Sequence, residues 1–392
     1  MARAFLSYRL FLCLFFCLAL FPVSVSAQPD RVPPIKAVYG FDREFPPFSY
    51  EVDGKPAGFE VELLLAALEG RNVDLQMVPM DWQRVQLDLS GGSIQLTSGM
   101  ARTPQREMLY DFSQLPTAPL KVRLYTRNEN RVGNVIQLRG KAVAVQEGSL
   151  YERILQEFGG LNIKTYPSEH QGLRALAQGD VDAFGGADKT ATYYIDKLGL
   201  ANVSPVGTPL DVTQIYFAIT PEQPELKKRL DEGLWELMEN GGYVQLFRKW
   251  FVRDLSQEHV DRLVKAASTA LINAYAPYSQ NPKGAAVLGA SGTIYTGVNV
   301  ENSQPSLTGS ALRVAIHNAI SNGETVLRGV VSVDSQGNIL TPAGDDLQVL
   351  FEFGQEVLVI TRPGADRMRV ANILEMMPYP YGATPPPLPR RQ

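Results

Sequence analysis

The feature that most constrains the fold is an alternation of short β-rich runs with amphipathic segments over residues 35–251. Between residues 60 and 69 the apolar side chains recur every three or four positions, which is typical of a helix with one buried face, at Val61, Leu64, Leu65 and Leu68. We expect strands at residues 35–41, 75–78, 94–97, 122–125, 142–145, 163–166, 183–185 and 214–219. Strands that alternate with helices predict an α/β fold with largely parallel sheets.

The alternation starts again after residue 256, with a helical pattern to residue 271 and another near residues 311–322. Because 392 residues exceed what one hydrophobic core usually spans, we expect two domains, residues 35–251 and 256–378. The junction at residues 252–258 contains neither proline nor glycine. That composition predicts a short connector, for which a helix is one option, rather than a flexible tether.

The two ends of the chain differ from these domains. Arg3 and Arg9 precede an apolar run at residues 10–21, and small residues follow at 25–27. This pattern predicts a signal peptide at residues 1–27 and export to the periplasm. An uncleaved anchor is the alternative, although the run is shorter than the ~20 residues that a membrane span needs. The proline-rich residues 379–392 predict a tail without a core.

Composition excludes several classes of function. Both cysteines, Cys13 and Cys17, lie in the predicted signal peptide, so the exported chain can form neither a disulfide nor a thiolate metal site. The formal net charge of −4 shows no basic excess, and we therefore expect no nucleic-acid partner. With 45% apolar residues the chain is not of the disordered class.

Short motifs occur in a fixed order through the first domain, at residues 45–50, 58–60, 98–106, 111–113, 140–145, 148–149, 179–183 and 249–251. In this order and spacing they resemble the bacterial extracellular solute-binding proteins for polar amino acids. The resemblance implies a two-lobed fold of the periplasmic-binding-protein type II, with the ligand in the cleft between the lobes. Lobe one would comprise residues 35–117 and 216–251, and lobe two residues 118–215.

The resemblance also implies charged ligand contacts. Arg106, which follows Thr103-Pro104, matches the family's carboxylate-binding arginine, whose planar guanidinium can hold both oxygens. A surface ion pair is the alternative for Arg106. Asp42 and Asp188 are the candidate partners of the ligand ammonium group. Asp188 lies one residue beyond the family spacing, and Asp42 could equally be an exposed turn acid.

Aromatic and hydroxyl residues complete the candidate site. Phe45 and Trp82 match positions where rings enclose the ligand side chain, with ordinary core packing as the alternative. Ser98 and Ser149 match further contacts to the carboxylate, Ser149 at an expected helix N-terminus. Ala101 stands where the family has a hydroxyl residue. One carboxylate contact is therefore expected to be missing.

Residues 274–279, 284–286 and 294–302 of the second domain resemble cytidine deaminases. The resemblance implies a three-layer α/β/α fold with zinc held at two helix N-termini and a glutamate that moves protons. The three zinc-binding cysteines of the family fall on Ser310, Ala343 and Asp346, and its glutamate falls on Leu312. We therefore expect no metal, no cofactor and no catalytic residue. Ser310 and Asp345 or Asp346 are instead expected to cap the two helices.

The deaminase family's pair of ribose-binding residues is kept as Asn299 and Glu301. Its pocket phenylalanine is replaced by Asn281, and this loses a stacking surface for a base. A residual nucleoside site at Asn299 and Glu301 is one role for this domain. A structural role, or assembly into a homo-oligomer, is the other.

Three functions follow from these observations. The first is an exported, non-enzymatic binding protein that captures a small polar solute, an amino acid, for a membrane transporter or a sensor. The second is a secreted cytidine or nucleoside deaminase with a solute-binding domain attached. The third is an interaction scaffold in which both pockets are degenerate.

Overall fold

A computed structural model describes residues 33–130, 132–364, 367–377 and 380. The predicted signal peptide and the proline-rich tail lie outside the described residues. Every element below belongs to one compact unit that begins at Ile35.

The solute-binding part contains twelve strands and eight helices within the described residues. Its strands are β1 (Ile35–Asp42), β2 (Glu44–Phe45), β3 (Ser49–Val52), β4 (Lys55–Ala57), β5 (Val73–Met80), β6 (Leu96–Ala101), β7 (Asp111–Phe112), β8 (Ala118–Arg127), β9 (Ala142–Gln146), β10 (Asn162–Tyr166), β11 (Ala183–Ala187) and β12 (Val203–Ile219). Its helices are α1 (Phe59–Leu68), α2 (Trp82–Ser90), α3 (Pro104–Glu107), α4 (Leu150–Phe158), α5 (Glu169–Gln178), α6 (Asp188–Leu198), α7 (Pro224–Glu239) and α8 (Gly242–Phe251).

Nine of these strands join in one sheet of order β10-β9-β11-β8-β12-β6-β1-β5, with β7 on β12, and β2, β3 and β4 form a separate small sheet. We call the β6-β1-β5 side, with α1, α2, α7 and α8, lobe one. We call the β8-to-β11 side, with α4, α5 and α6, lobe two. Strand β12 runs along both, because it pairs with β8 and with β6. The α/β class and the two-lobed type II fold are confirmed.

The sheet is mixed, so the expectation of largely parallel sheets was wrong. Strands β1 and β5 are parallel, as are β9 and β10. However, β12 runs antiparallel to both β8 and β6, and β11 runs antiparallel to β8. The long strand β12 carries the chain back from one lobe to the other, and this return reverses its direction relative to its neighbours.

Most of the helical patterns pack as their spacing predicts. In α1, Val61, Leu64 and Leu68 are buried, but Leu65 is 50% exposed and does not belong to the apolar face. In α7, Leu226, Leu230 and Leu234 are buried. These two helices pack on each other over the same face of the sheet as α8.

The junction between the domains is short, and of the two options that the sequence left open it is the non-helical one. Helix α8 ends at Phe251, and Val252 adopts extended backbone angles. The next helix, α9 (Gln257–Ala270), begins after Ser256, whose side chain accepts a hydrogen bond from the His259 amide. Because this cap fixes the start of α9, only residues 252–256 connect the two helices.

The second domain contains α9, β13 (Lys283–Gly289), β14 (Ile294–Val298), α10 (Ala311–Ser321), β15 (Leu327–Asp334), β16 (Ile339–Leu340), α11 (Gly344–Phe351), β17 (Leu358–Thr361), β18 (Arg369–Asn372) and α12 (Ile373–Met376). Its sheet has the order β14-β13-β15-β17-β18, with β16 on β15.

Side chains alternate between the two faces of this second sheet. Ala285 and Val287 pack under α10, whereas Ala286 and Leu288 pack under α9. This alternation is what a strand covered on both faces requires. The three-layer α/β/α prediction is confirmed. Among the described residues, no helix has both the length and the apolar character that a membrane crossing requires.

Candidate functional site

One cavity lies between the two lobes, and it brings together five of the seven predicted ligand contacts. They are Asp42, Phe45, Trp82, Arg106 and Ser149, and Gly99, Ala101, Leu120, Gln146, Leu150 and Tyr151 complete the wall. The empty space between these side chains and at the mouth of the cavity is about 360 Å³. The residues of lobe one lie near or just after the ends of β1, β5 and β6. Those of lobe two lie at or just after the end of β9, apart from Leu120, which lies in β8.

Arg106 is placed by the short helix α3. The Thr103 hydroxyl accepts a hydrogen bond of 3.3 Å from the Arg106 amide, and Pro104 occupies the first turn. The guanidinium donates to the Ala101 carbonyl at 3.1 Å and to the Gly148 carbonyl of lobe two at 3.3 Å. Burial lowers the pKa of Arg106 to about 10. The Arg106 side chain therefore carries its charge at neutral pH. Its hydrogen bonds go to these two carbonyl groups at the cavity rather than to an acid at the surface.

Asp42 lies at the end of β1 and is only 5% exposed, so it is not an exposed turn acid. Its Oδ1 accepts from the Glu44 amide at 2.9 Å, and its Oδ2 accepts from the Gln146 side chain at 2.8 Å. Burial raises the pKa of Asp42 to about 6, although both hydrogen bonds act in the opposite direction. A cation in the cavity would compensate this buried carboxylate.

A second buried acid, Glu169, contacts the cavity-wall residue Tyr151 but does not itself line the cavity. It is 1% exposed, and its Oε1 accepts from the Tyr151 hydroxyl and from the Ala187 amide. The Tyr151 hydroxyl also lies 2.9 Å from Gln146 Oε1. Burial raises the pKa of Glu169 to about 8, and its Oε2 is buried without a hydrogen-bond partner.

The sequence did not reveal Gln146, Tyr151 or Glu169 as members of this network. Gln146 directly follows the predicted strand at residues 142–145, and Glu169 directly follows the N-cap residue Ser168 of α5. Those two positions were the available signals, because residues at strand ends and helix starts are where α/β proteins place ligand contacts.

Trp82 and Phe45 form the aromatic side of the cavity. The Trp82 indole N–H donates to the Gly148 carbonyl at 3.2 Å, and the Arg106 guanidinium lies 5.8 Å from the Trp82 ring centroid. Phe45 stacks on Phe48 with 4.7 Å between the ring centroids. Both predicted aromatic residues are therefore part of the core and of the cavity wall at once.

The two predicted serines have different positions. Ser149 caps α4 by accepting from the Glu152 amide at 3.1 Å, so the positive end of a nine-residue helix faces the cavity. The Ser98 hydroxyl is 2.6 Å from that of Tyr39, and Ser98 is 2% exposed. Ser98 lies in β6 next to the wall residue Gly99 and does not itself line the cavity.

Asp188 does not join the cavity residues. It is the first residue of α6, and its Oδ2 lies 3.7 Å from Arg123 Nε. It borders two grooves that also contain Lys189 and Glu356. The strand β11 ends at Ala187, which occupies the family's position for the acid, so Asp188 falls one residue later and on another side.

In the second domain, two helix N-termini meet at the positions that match the family's zinc ligands. The Ser310 hydroxyl donates to Asp346 Oδ1 at 2.5 Å and caps α10. Arg313 donates to Asp345 at 2.6 Å and to Asp346 at 3.3 Å. The cap of α10 is as predicted, but the cap position of α11 is Ala343. Asp345 and Asp346 lie in its first turn.

The predicted nucleoside residues are engaged within their own loops. The Asn299 side chain accepts from the Lys283 amide at 2.8 Å and donates to the Asn281 carbonyl at 3.1 Å. The Glu301 carboxylate accepts from the Ser279 hydroxyl and from the Ser279 and Tyr278 amides. Hydrogen bonds from Ser279 lower the pKa of Glu301.

Comparison with known proteins explains the cleft. The family model described as bacterial extracellular solute-binding proteins, family 3, matches residues 37–253, more than half of the chain. The chain belongs to this family. As a member of solute-binding family 3, it is similar to the probable amino-acid-binding protein YxeM of Bacillus subtilis (strain 168). The two are 28% identical over 224 residues, which cover 54% of this chain and 82% of that protein.

A solved structure of another class shares the same fold. It is a histidine kinase sensor domain with similarity to periplasmic binding proteins, 28% identical to this chain with a TM-score of 0.53. The match covers 57% of this chain and 98% of the sensor domain. This chain is thus similar both to a protein named for amino-acid binding and to a sensor domain.

The C-terminal part has a separate set of relatives. A family model for the zinc-binding region of cytidine and deoxycytidylate deaminases matches residues 238–339. The probable cytidine deaminase of Dictyostelium discoideum is 39% identical over 110 residues, which cover 28% of this chain and 75% of that protein. The C-terminal part is therefore a member of the cytidine deaminase family, as the sequence predicted.

Proposed function

We propose that residues 35–251 capture a free amino acid between the two lobes. The observation that carries this proposal is that a half-buried cation, Arg106, and a buried acid, Asp42, line the same cavity. Both charges act on the wall residue Tyr151. Burial and the carboxylates of Glu169 and Asp42 raise the pKa of Tyr151, whereas the Arg106 guanidinium lowers it. A zwitterion presents the complementary pair of charges at close range.

Each group has a defined task in this proposal. Arg106, with the N-terminus of α4 that Ser149 caps, binds the carboxylate. Asp42, held by Gln146, receives the ammonium group. Phe45 and Trp82 enclose the aliphatic or aromatic part of the solute. Ala101 supplies no hydroxyl, so the carboxylate depends on Arg106 more than it would in a cleft with a hydroxyl at this position.

The protein is exported through the signal peptide at residues 1–27 and acts in the periplasm. There the loaded protein serves either a membrane transporter or a sensor. The similarity to an amino-acid-binding protein supports the first partner, and the similarity to a kinase sensor domain supports the second.

The deaminase-like domain has no catalytic activity in this proposal. Its donor set does not fit a zinc ion, because Ala343 offers a methyl group and Ser310 a neutral hydroxyl bound to Asp346. Arg313 already neutralises Asp346 and Asp345. Leu312, 2% exposed, cannot pass a proton. The domain serves as a structural, oligomerising or nucleoside-binding module.

A thermal-shift screen of the exported protein tests the binding proposal. The twenty standard amino acids, L-cystine and cytidine are each added at 1 mM. A solute present at 100 times its Kd should add roughly 2.7 kcal/mol to the free energy of unfolding. An amino acid that raises Tm supports the proposal, and a response to cytidine alone contradicts it.

A deaminase is the second candidate, favoured by the 39% identity to a probable cytidine deaminase. It requires a metal site that the second domain would have to build without cysteine. Within the described residues there is no cluster of three His, Cys, Asp or Glu side chains placed to hold a metal. The activity assay that separates the two candidates is given in the Discussion.

A further inference from the structure

Lys189 is the point at which both lobes and the deaminase-like domain meet. It is the second residue of α6 in lobe two. Its Nζ lies 2.6 Å from Glu356 Oε1 of the deaminase-like domain. The same Nζ lies 5.6 Å from the ring centroid of Phe251, the last residue of α8 in lobe one.

The Lys189–Glu356 pair is well placed to hold two bodies together. Both side chains are partly buried, with 32% and 23% exposed. Burial raises the pKa of Glu356, but Lys189 and Lys121 lower it overall. Burial lowers the pKa of Lys189, but Glu356 and Asp188 raise it overall. Both groups are therefore ionised at neutral pH, and screening by solvent is weaker than for a fully exposed pair.

The deaminase-like domain is attached to lobe one by separate contacts. Arg248 of α8 donates to Glu375 at 2.8 Å. Leu374 is 7% exposed and belongs to a hydrophobic cluster that includes Phe247 of α8 together with buried residues of both lobes. Leu255, just after α8, lies so close to Gly329 that an added Cβ would be 2.7 Å from its Cδ1. The domain should therefore move with lobe one.

Lobe two reaches the deaminase-like domain through two lysines. Lys121 donates to the Phe353 carbonyl at 3.3 Å, but it lies in β8 close to the Ala118–Ile215 pairing at the boundary of the lobes. Lys189 follows β11, whose last residue Ala187 pairs with Val122 of β8. Its contacts with Phe251 and Glu356 join lobe two to lobe one and to the deaminase-like domain, so a rotation of lobe two would strain them.

We propose that the deaminase-like domain is a latch that holds the cleft closed, because the Lys189–Glu356 ion pair forms only when lobe two has rotated towards lobe one. The proposal rests on the proposed function in that it requires a cleft that opens and closes. It gives the deaminase fold a task for which no metal and no nucleoside are needed. Closure of the cleft and the position of the domain are then coupled in both directions.

The same contact explains the position of Asp188. The start of α6, where the sequence predicted an acid for the ligand, faces the deaminase-like domain instead of the cavity. Asp188 lies beside Arg123, and Lys189 extends to Glu356. In this proposal the start of α6 influences ligand binding indirectly, because it favours the closed state of the cleft.

Distance measurement between the lobes tests the latch. The described residues and the rest of the chain after residue 27 lack cysteine, so Cys13→Ser and Cys17→Ser give a label-free background. Leu87→Cys in α2, 68% exposed, and Glu157→Cys in α4, 67% exposed, carry spin labels on lobe one and lobe two. Pulsed electron paramagnetic resonance then gives the distribution of distances across the cleft.

The variants are Lys189→Glu, Glu356→Lys and the double reversal, each measured alone and with the twenty amino acids and L-cystine present. Each single reversal should raise the ratio of long to short distances about fivefold or more, and the double reversal should restore it. Lys249→Ala is the matched control. Lys249 pairs with Glu62 at 2.6 Å, but both residues lie in lobe one, so its distribution should equal that of the parent.

The outcomes separate the latch from the binding proposal. Single reversals that give the parent's distribution both with and without amino acids would overturn the latch. A shift on reversal without any response to amino acids would support the latch and contradict amino-acid binding. Because the double reversal must recover the parent's distances, a variant that merely fails to fold cannot imitate the expected result.

Discussion

The side-chain amide of Gln146 donates a 2.8 Å hydrogen bond to Asp42 Oδ2, and this bond joins lobe two to lobe one. The Gly148 carbonyl reinforces the same junction by accepting from Trp82 and from Arg106. The side chains that face the cavity are thus also the ones that link the lobes. Solute binding and closure are therefore expected to affect each other.

Removing the cross-lobe bond should open the cleft. In Gln146→Ala, Asp42 loses its partner from lobe two, and the radius of gyration from small-angle scattering should exceed that of the parent. Closure by an added amino acid should reduce it again, through rotation about the boundary near residues 122–125 and 214–219. Gln156→Ala, an exposed change in α4, is the control. Equal scattering curves for all three proteins would contradict a hinged cleft.

Binding should weaken in acid because Asp42 must be ionised to receive an ammonium group. Burial raises the pKa of Asp42 to about 6, so protonation occurs as pH falls through that value. The Kd of the parent for an amino acid should rise between pH 7 and pH 5. Asp42→Asn should bind about tenfold more weakly at pH 7 and show no such dependence.

The control for this change is Asp74→Asn, because Asp74 is exposed on the same lobe and lies at the opposite end of the β1–β5 pairing from Asp42. It should retain the affinity and the pH dependence of the parent in isothermal calorimetry. If Asp42→Asn kept the affinity of the parent, Asp42 would not be the ammonium partner.

The stability of the protein should fall as pH rises towards 8. Burial raises the pKa of Glu169 from 4.5 to about 8. The native state therefore keeps a proton that the unfolded chain releases from about pH 4.5 upwards. The free energy of unfolding should decrease by roughly 4 kcal/mol over that window for this group alone. Burial raises the pKa of Glu60 to about 7, so Glu60 should add to the slope.

Glu169→Gln should flatten this slope, because the amide keeps an oxygen for the Tyr151 and Ala187 donors but does not titrate. Urea unfolding at pH 5, 6, 7 and 8 measures the effect. Glu157→Gln, on an exposed acid of α4, should leave the slope as it is in the parent. A Glu169→Gln protein with the parent's pH dependence would show that another group is responsible.

The sequence predicted the parts of the site that depend on local structure. Thr103-Pro104 fixes the start of α3, and this local motif sets the backbone position of Arg106, although the Gly148 carbonyl that holds its guanidinium comes from lobe two. Asp188 was predicted wrongly as a cavity residue because a shift of one position at the end of β11 turns a side chain to another side. The spacing of a family motif does not show whether the side chain at such a position faces the cavity or the opposite side.

Burial of Glu169 could not be predicted, because it arises from contacts with Tyr151 and Ala187, each 18 residues away in the sequence. The contact of Lys189 with Glu356 spans the two domains and follows from neither of them alone. Leu65 shows a similar limit. Its spacing is that of a buried residue, but the face it occupies is only partly covered.

The deaminase-like domain should neither retain zinc nor convert cytidine to uridine. The exported protein is incubated with cytidine and excess zinc while absorbance is followed, with metal analysis alongside. A variant with Ser310→Cys, Ala343→Cys and Asp346→Cys rebuilds the thiolate set and should retain about one zinc per chain. Turnover by the parent, lost in Glu301→Ala, would establish the deaminase instead.

The most direct test of amino-acid capture is calorimetric titration of the parent and of Arg106→Ala with the amino acid that gives the largest thermal shift. Removal of the Arg106 guanidinium leaves the solute carboxylate unpaired in the cleft, so the account predicts a Kd at least about 30-fold higher in the variant. Arg84→Ala, on an exposed residue of α2, should bind as the parent does. Equal affinities for Arg106→Ala and the parent, with both proteins folded, would contradict the account.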